Sequence, residues 1–303
     1  MLALELKQET YHLAIKTMNT LKLGWTGLGN MGNPMVMNLL KSGFEVSVFN
    51  RTKDKEAPLL AAGAKSSSSL QELMETCDVV LTMLSNDAAV IEVFEGPTGL
   101  LSKTSLGKTI INMSTVAPET SRYLNTICNQ HQVHFIDAPV SGSVKPAQDG
   151  TLVILVGAST EDYEVARPIF DVLGKIAIHV GEPGVASSAK LAINYLLGLN
   201  LQGMAETVLF AEKNGVSKEN MLNIINQGAC GNGITNIKTP SILNDSYPAA
   251  FALKHLVKDL RLAKEAGLDS PLIHPLYDSY AAAEKEGLGD QDVMAIISSL
   301  KKK

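Results

Sequence analysis

Three glycines at the spacing G-x-G-x-x-G (Gly27, Gly29 and Gly32) come directly after a short apolar run, 21–26, and directly before a helix-like stretch, 33–42. No other feature restricts the fold of this chain as much. Gly27 suits a tight turn, Gly29 lets a pyrophosphate approach the backbone, and Gly32 lets the helix lie close against the strand. The phosphates of a dinucleotide then meet unpaired N–H groups at the helix N-terminus. Leu28, Asn30 and Met31 fill the same turn and belong to the same expected cofactor-binding segment.

The rest of the first half repeats this alternation. Runs rich in Val, Ile and Leu at 45–50, 78–84, 109–113, 134–137, 151–156 and 176–180 read as strands. Helical patterns at 70–76, 88–94, 118–131 and 160–173 lie between them. Alternating strands and helices imply an α/β fold with a Rossmann-type, doubly wound, mostly parallel sheet. Beyond Gly184 the rhythm changes: 185–214 holds about thirty residues without proline, with apolar groups at helical spacing. Segments 217–227, 253–266, 271–286 and 290–300 follow as helices, punctuated by Gly215, Gly228, Gly267 and Gly287. The second half carries no strand signal, so a long connecting helix and an all-helical C-terminal domain are expected. A length of 303 residues fits two domains at roughly 150 each.

The end of the second strand discriminates between dinucleotides. NAD enzymes place an acid about 20 residues past the fingerprint to hold the ribose 2′-hydroxyl. Here the strand ends in Phe49-Asn50-Arg51-Thr52, and no acid appears before Asp54. Arg51 offers a planar fork of donors suited to a 2′-phosphate, with Asn50 and Thr52 as neutral donors beside it. NADP(H) is therefore expected in preference to NAD(H). The expected domains are 20–182 for NADP binding and 183–303 for substrate binding and oligomerisation. Segment 1–19 is an N-terminal extension with no assigned function: it has Glu5 and Glu9, no arginine and no long apolar stretch, unlike a secretory or transit peptide.

Lys190 and Asn194 lie four residues apart, on one face of the long helix. A lysine there can give a proton to a developing alkoxide as a carbonyl is reduced, with the Asn194 amide bonding the same oxygen or the lysine head. Ser141, Gly142 and Ser143 stand just past the carboxyl end of a strand, where open α/β sheets bind ligands. Their hydroxyls and backbone N–H groups make a cradle for a carboxylate.

Composition narrows the field. With 26 Lys and Arg against 31 Asp and Glu the net charge is −5, which argues against nucleic acid as a partner. Three cysteines in no C-x-x-C spacing fit a reducing, cytoplasmic setting, and no apolar run reaches membrane-spanning length. The six histidines form no metal-ligand pattern, so no metal is expected, and there is no G-x-S-x-G elbow or Walker A lysine. His255 reads as structural.

Taken in order, these segments resemble the β-hydroxyacid dehydrogenase family (3-hydroxyisobutyrate dehydrogenase-like). The resemblance rests on Gly27–Gly32, Asn50-Arg51-Thr52, Asn112-Met113-Ser114-Thr115, Asp137-Ala138-Pro139-Val140-Ser141-Gly142-Ser143, Asp149-Gly150-Thr151-Leu152, Lys190-Leu191-Ala192-Ile193-Asn194 and Lys258-Asp259-Leu260. It spans 21–300. It implies that Lys190 is the catalytic proton donor or acceptor and Asn194 its partner at the substrate oxygen. It further implies that Ser141, Gly142 and Ser143 hold the substrate carboxylate, and that Thr115 and the loop Leu84-Ser85-Asn86 line the nicotinamide ribose. Lys258 is implied near the nicotinamide, with Asp259 positioning neighbours.

Segments 143–150 and 247–255 look most like the glyoxylate and succinic semialdehyde reductase branch, with Phe251 as a wall of the substrate pocket. Ser143 departs from the 3-hydroxyisobutyrate dehydrogenase branch, which has glycine there, although that activity remains the alternative. Imine reductases share the fold but replace the lysine. A 6-phosphogluconate dehydrogenase has the same type of helical domain but needs a much longer one. The expected function is NADPH-dependent reduction of a small aldehyde- or keto-acid to a hydroxy acid by a homo-oligomer, dimer or tetramer. A non-catalytic NADP-binding module is the contrasting reading, and Lys190 and Asn194 speak against it.

Overall fold

The computed structural model describes residues 21–103 and 106–302. The extension expected over 1–19 lies outside them. Strand β1 (Lys22–Thr26) leads through the glycine turn into helix α1 (Gly32–Lys41), which buries Gly32, Met35, Val36 and Leu39 at helical spacing. Strand β2 (Glu45–Phe49) is followed by a 3-10 turn (Lys53–Glu56), helix α2 (Ala57–Ala61) and strand β3 (Lys65–Ser66). Helix α3 (Leu70–Thr76), capped by the Ser69 hydroxyl, precedes β4 (Val79–Thr82); α4 (Asp87–Glu95) precedes β5 (Thr109–Asn112). Helix α5 (Pro118–Gln130) precedes β6 (His134–Asp137), and then come β7 (Val140–Ser141), α6 (Val144–Asp149), β8 (Leu152–Gly157), α7 (Thr160–Leu173) and β9 (Gly174–Gly181).

Among the described residues, the nine strands form one sheet, ordered β3-β2-β1-β4-β5-β6-β8-β7, with β9 paired to β8. The first six strands are parallel. They follow the doubly wound order whose switch point lies between β1 and β4. β4 and β5 are buried along their whole length, as is β1 beyond Lys22. Helices on both faces of a parallel sheet leave no wet side, which is why these strands read as unbroken apolar runs. β8 runs antiparallel to β6 and β7, so the sheet is mostly rather than wholly parallel.

The remaining helices are α8 (Val185–Lys213), α9 (Lys218–Gln227), α10 (Gly233–Leu243), α11 (Leu253–Glu265), α12 (Ile273–Ala283) and α13 (Ile296–Leu300). Leu201, Val208, Leu253, Leu256, Leu260, Ile273 and Tyr280 are among the side chains of their common core. Helix α10 escapes a sequence reading because it contains Pro240 and is rich in Thr, Asn and Ser; a capping box between Asn232 and Thr235 starts it. The stretch 290–300 is not one helix but a 3-10 turn (Val293–Ala295) feeding α13. By its internal packing the chain divides into two compact units between Lys190 and Leu191, about two turns into α8. No described helix is long and apolar enough to cross a membrane.

Candidate functional site

The glycine turn leaves the carboxyl end of β1 at the switch point. Gly27 adopts φ +96°, and a β-carbon there would collide with the Met83 carbonyl. A β-carbon on Gly32 would collide with the carbonyl of Gly27, so helix and turn require glycine at both positions. Gly29 differs: it is exposed, and a β-carbon would meet nothing within 4 Å. The space over Gly29 is the cradle that a pyrophosphate needs, so the residues present fit a dinucleotide. Trp25 fixes the turn from below, its indole Nε1–H donating to the Gly27 carbonyl at 3.3 Å.

Asn50 ties β2 to this turn. Its Oδ1 accepts the Leu28 N–H at 3.1 Å and its Nδ2 donates to the Thr52 carbonyl at 2.8 Å. The amide thus shapes the loop, while Arg51 and Thr52 stand exposed on it. Glu56, only 1% exposed, closes the loop from inside by accepting from the Asn50 N–H, Lys53 Nζ and Ser66 Oγ at 2.8, 2.9 and 2.7 Å. Burial pushes its carboxyl up, but those hydrogen bonds outweigh it and hold the group below the ordinary range. The Glu56 carboxylate is therefore turned inward and already bonded. Sequence reasoning missed Glu56, since a glutamate in a charged run reads as solvated.

The carboxyl ends of β4, β5 and β6 carry Thr82, Asn112 and Asp137 in register, all fully buried. Thr82 Oγ1 donates to Asn112 Oδ1 at 2.9 Å, and Ser114 Oγ accepts the Leu84 N–H at 2.8 Å. Asn86 caps α4 by accepting from the Ala89 N–H. Asp87 Oδ1 accepts from the Ala117 N–H and Thr120 Oγ1 at 2.8 and 2.7 Å. These bonds hold the 84–86 loop beside the loop bearing Thr115.

Ser141 ends β7, and Gly142 turns at φ +141°, where a β-carbon would lie 2.8 Å from Leu152 Cδ2. Ser143 precedes α6 without capping it through its side chain. Asn38 of α1 donates to the Ala147 carbonyl at 2.9 Å, so the helix that opens at the cradle also holds the helix that follows the serines. Lys190 lies two turns into α8 and is 7% exposed. The first turn of that helix is bonded to Asp137: Oδ2 accepts the N–H groups of Gly184 and Ser187 at 2.9 and 3.0 Å, and Oδ1 accepts Ser187 Oγ–H at 2.8 Å.

In the helical unit, the buried Asn194 donates through Nδ2 to Asp259 Oδ2 at 2.6 Å, and Lys258 Nζ pairs with Asp259 Oδ1 at 3.0 Å. Asp259 thus positions both polar groups. Phe251 is half-buried and stacks on His255, with ring centroids 6.2 Å apart. Burial, then the charge of Lys258, holds His255 below its ordinary pKa. Asp292 accepts from the Ala250 and Phe251 N–H groups at 3.1 and 3.3 Å and from Lys238 Nζ at 2.7 and 2.9 Å. Lys238 and Asp292 are 5% and 0% exposed. This pair holds the Phe251 loop. Its members are 54 positions apart, so no local pattern joins them. No three His, Cys, Asp or Glu side chains gather as a metal site among the described residues.

Comparison with known proteins places both units. Residues 22–181 match the NAD binding domain of 6-phosphogluconate dehydrogenase. Residues 184–300 match the NAD-binding domain of NADP-dependent 3-hydroxyisobutyrate dehydrogenase. The chain is 38% identical over 285 residues to glyoxylate/succinic semialdehyde reductase 1 of Arabidopsis thaliana, covering 93% of this chain and 99% of that protein. It is 36% identical over 288 residues to the chloroplastic reductase 2 of the same plant, covering 94% and 80%. Among solved structures, Mycobacterium tuberculosis 3-hydroxyisobutyrate dehydrogenase with L-serine aligns with TM-score 0.83 and 29% identity, covering 92% of this chain and 99% of that one.

Proposed function

The chain belongs to the β-hydroxyacid dehydrogenase family, NAD(P)-dependent oxidoreductases acting on CH–OH groups, and from that premise we propose that it reduces small aldehyde-acids, glyoxylate and succinic semialdehyde, with NADPH. Lys190 carries this reading: it is a nearly buried lysine in the unit that bears the dinucleotide cradle. Gly27 to Gly32 hold the pyrophosphate, and Arg51 with Thr52 takes the 2′-phosphate while Asn50 and Glu56 shape their loop. Leu84, Ser85, Asn86 and Thr115 line the nicotinamide ribose. The bound nicotinamide supplies a hydride.

Ser141, Gly142 and Ser143 bind the substrate carboxylate and so orient its carbonyl, a contribution of proximity rather than of bond chemistry. The Lys190 ammonium gives a proton to the carbonyl oxygen as the alcohol forms and regains one from solvent. In the reverse direction the same amine takes the proton. Asn194, held by Asp259, bonds the substrate oxygen; Lys258 serves beside the nicotinamide and Phe251 walls the substrate pocket. The names of the two plant reductases support the choice of substrates. We place the enzyme in a reducing, cytoplasmic setting as a homo-oligomer. Exposed apolar side chains such as Phe210 at 70% and Ile237 at 64% support a partner surface.

Initial rates with glyoxylate, succinic semialdehyde and methylmalonate semialdehyde, each with NADPH and NADH, test the reading. Glyoxylate or succinic semialdehyde with NADPH should lead. Methylmalonate semialdehyde as best substrate would move the protein to the hydroxyisobutyrate branch. Lys190→Ala should lower kcat by roughly 100-fold or more, in the range of a lost general acid, with NADPH affinity kept. An equal loss of cofactor affinity would remove Lys190 from the proposed role.

A further inference from the structure

A helix leaves its first backbone N–H groups without partners, and a neighbouring side chain usually caps them. Helix α8 is different. Its first turn is capped from 50 positions away by Asp137, at the carboxyl end of β6. One carboxylate oxygen takes two backbone N–H groups, from Gly184 and Ser187, and the other takes the Ser187 hydroxyl. Ser121 of α5 lies 2.9 Å from that same hydroxyl and braces it from a second element. Asp137 and Ser187 are both 0% exposed, so the join excludes water. Lys190 follows Ser187 by three positions and therefore projects from the adjacent part of the same helix face. The strand that carries Asp137 belongs to the parallel sheet whose carboxyl edge also bears the cradle.

We infer that Asp137 is a positioning residue that registers Lys190 against the sheet edge where the cofactor is held. This rests on Lys190 being the proton donor. The design fits what the reaction requires, because proton and hydride must reach one carbonyl from two elements whose relative placement is set to within about an ångström. A helix capped only by its own sequence would be stable yet free to shift along the sheet. A carboxylate from the strand end ties its first turn to a defined place. An anion at a helix N-terminus also meets the positive end of the helix dipole. Burial pushes the Asp137 carboxyl up, and the bonds from Gly184 and Ser187 oppose that push.

Three variants and two backgrounds test this. Asp137→Ala should lower kcat about 100-fold, as expected for a misplacement of about an ångström. Asp137→Asn keeps an oxygen for the two N–H groups and an amide for the hydroxyl, and should recover most of the loss. Ser187→Ala, which removes the hydroxyl's bonds to Asp137 and Ser121 but leaves the two N–H bonds to Asp137, should fall between them and covers the case in which Asp137→Ala does not fold. NADPH affinity should stay within about twofold of the parent, a split that general loss of structure would not produce. In the cofactor-free protein, hydrogen exchange at the Gly184 and Ser187 amides should quicken in Asp137→Ala. Unchanged kcat in folded Asp137→Ala or Ser187→Ala, or NADPH affinity falling in step with kcat, would overturn the inference.

The double variant Lys190→Ala, Asp137→Ala separates this inference from the reading beneath it. If Asp137 acts through Lys190, the double variant should be no slower than Lys190→Ala alone. A further drop equal to that of Asp137→Ala would overturn the positioning role and leave the lysine reading intact. Full activity in Lys190→Ala would overturn both.

Discussion

Gly29→Ala offers a direct reading of whether the cradle is used. The residue is exposed, does not need positive φ, and has nothing within 4 Å of where a β-carbon would sit. In the absence of cofactor the substitution should not weaken the fold. By narrowing the unfolded ensemble it should add about 0.4–1 kcal/mol, which for a protein of this size raises Tm by roughly 0.6–1.6 °C. With cofactor the same methyl occupies the space a phosphate must enter. Losing one backbone hydrogen bond to a charged group costs about 1.5–3 kcal/mol, or roughly 10- to 150-fold in NADPH affinity. Trp25 supplies the assay. It is the only tryptophan, is fully buried, and donates its indole N–H to Gly27, so its emission should fall as a nicotinamide binds nearby. Gly32→Ala is the contrast, because its β-carbon would collide with the Gly27 carbonyl and should weaken fold and binding together. NADPH affinity in Gly29→Ala within about twofold of the parent would refute the phosphate cradle.

Other outcomes follow from neighbouring features. Arg51→Asp should weaken NADPH far more than NADH, and an unchanged preference between the two would refute the phosphate contact. Lys238→Met leaves the buried Asp292 carboxylate with only the N–H groups of Ala250, Phe251 and Met294. Breaking a buried pair costs about 3–5 kcal/mol, and those remaining donors favour the lower end, so denaturant unfolding should show a loss of about 3 kcal/mol. A loss below about 1 kcal/mol would mean the pair adds little to the helical unit. His255 is held below its ordinary value near 6.5, so the unfolded chain takes up its proton first. The stability this contributes is complete above about pH 6.5 and is lost as the pH falls toward the depressed folded value. His255→Gln should flatten that slope in denaturant titrations at successive pH values, and an identical slope would place its origin elsewhere.

Most of the α/β architecture was legible in the chain because its signals are local. A glycine triplet between strand and helix has one dominant use, and strands covered on both faces write themselves as apolar runs. Elements without a local pattern escaped. β3 and β7 have two residues each, too few for any period, and α10 opens on Gly233 and carries Pro240. The expected helix over 290–300 is broken because Asp292 is needed inside, where it accepts from Lys238, Ala250, Phe251 and Met294.

The same division runs through the candidate site. Gly27, Gly29, Gly32, Arg51, Lys190 and Asn194 could be named as candidates from spacing and residue chemistry, since each belongs to a pattern within one turn or helix. What holds them could not. Asp137 reaches Ser187 across 50 positions, Asp259 reaches Asn194 across 65, and Asp292 reaches Lys238 across 54. In a linear sequence each of these carboxylates is one acid among 31. Only folding removes water from them, and a carboxylate without water must be met by donors that the tertiary structure brings from elsewhere.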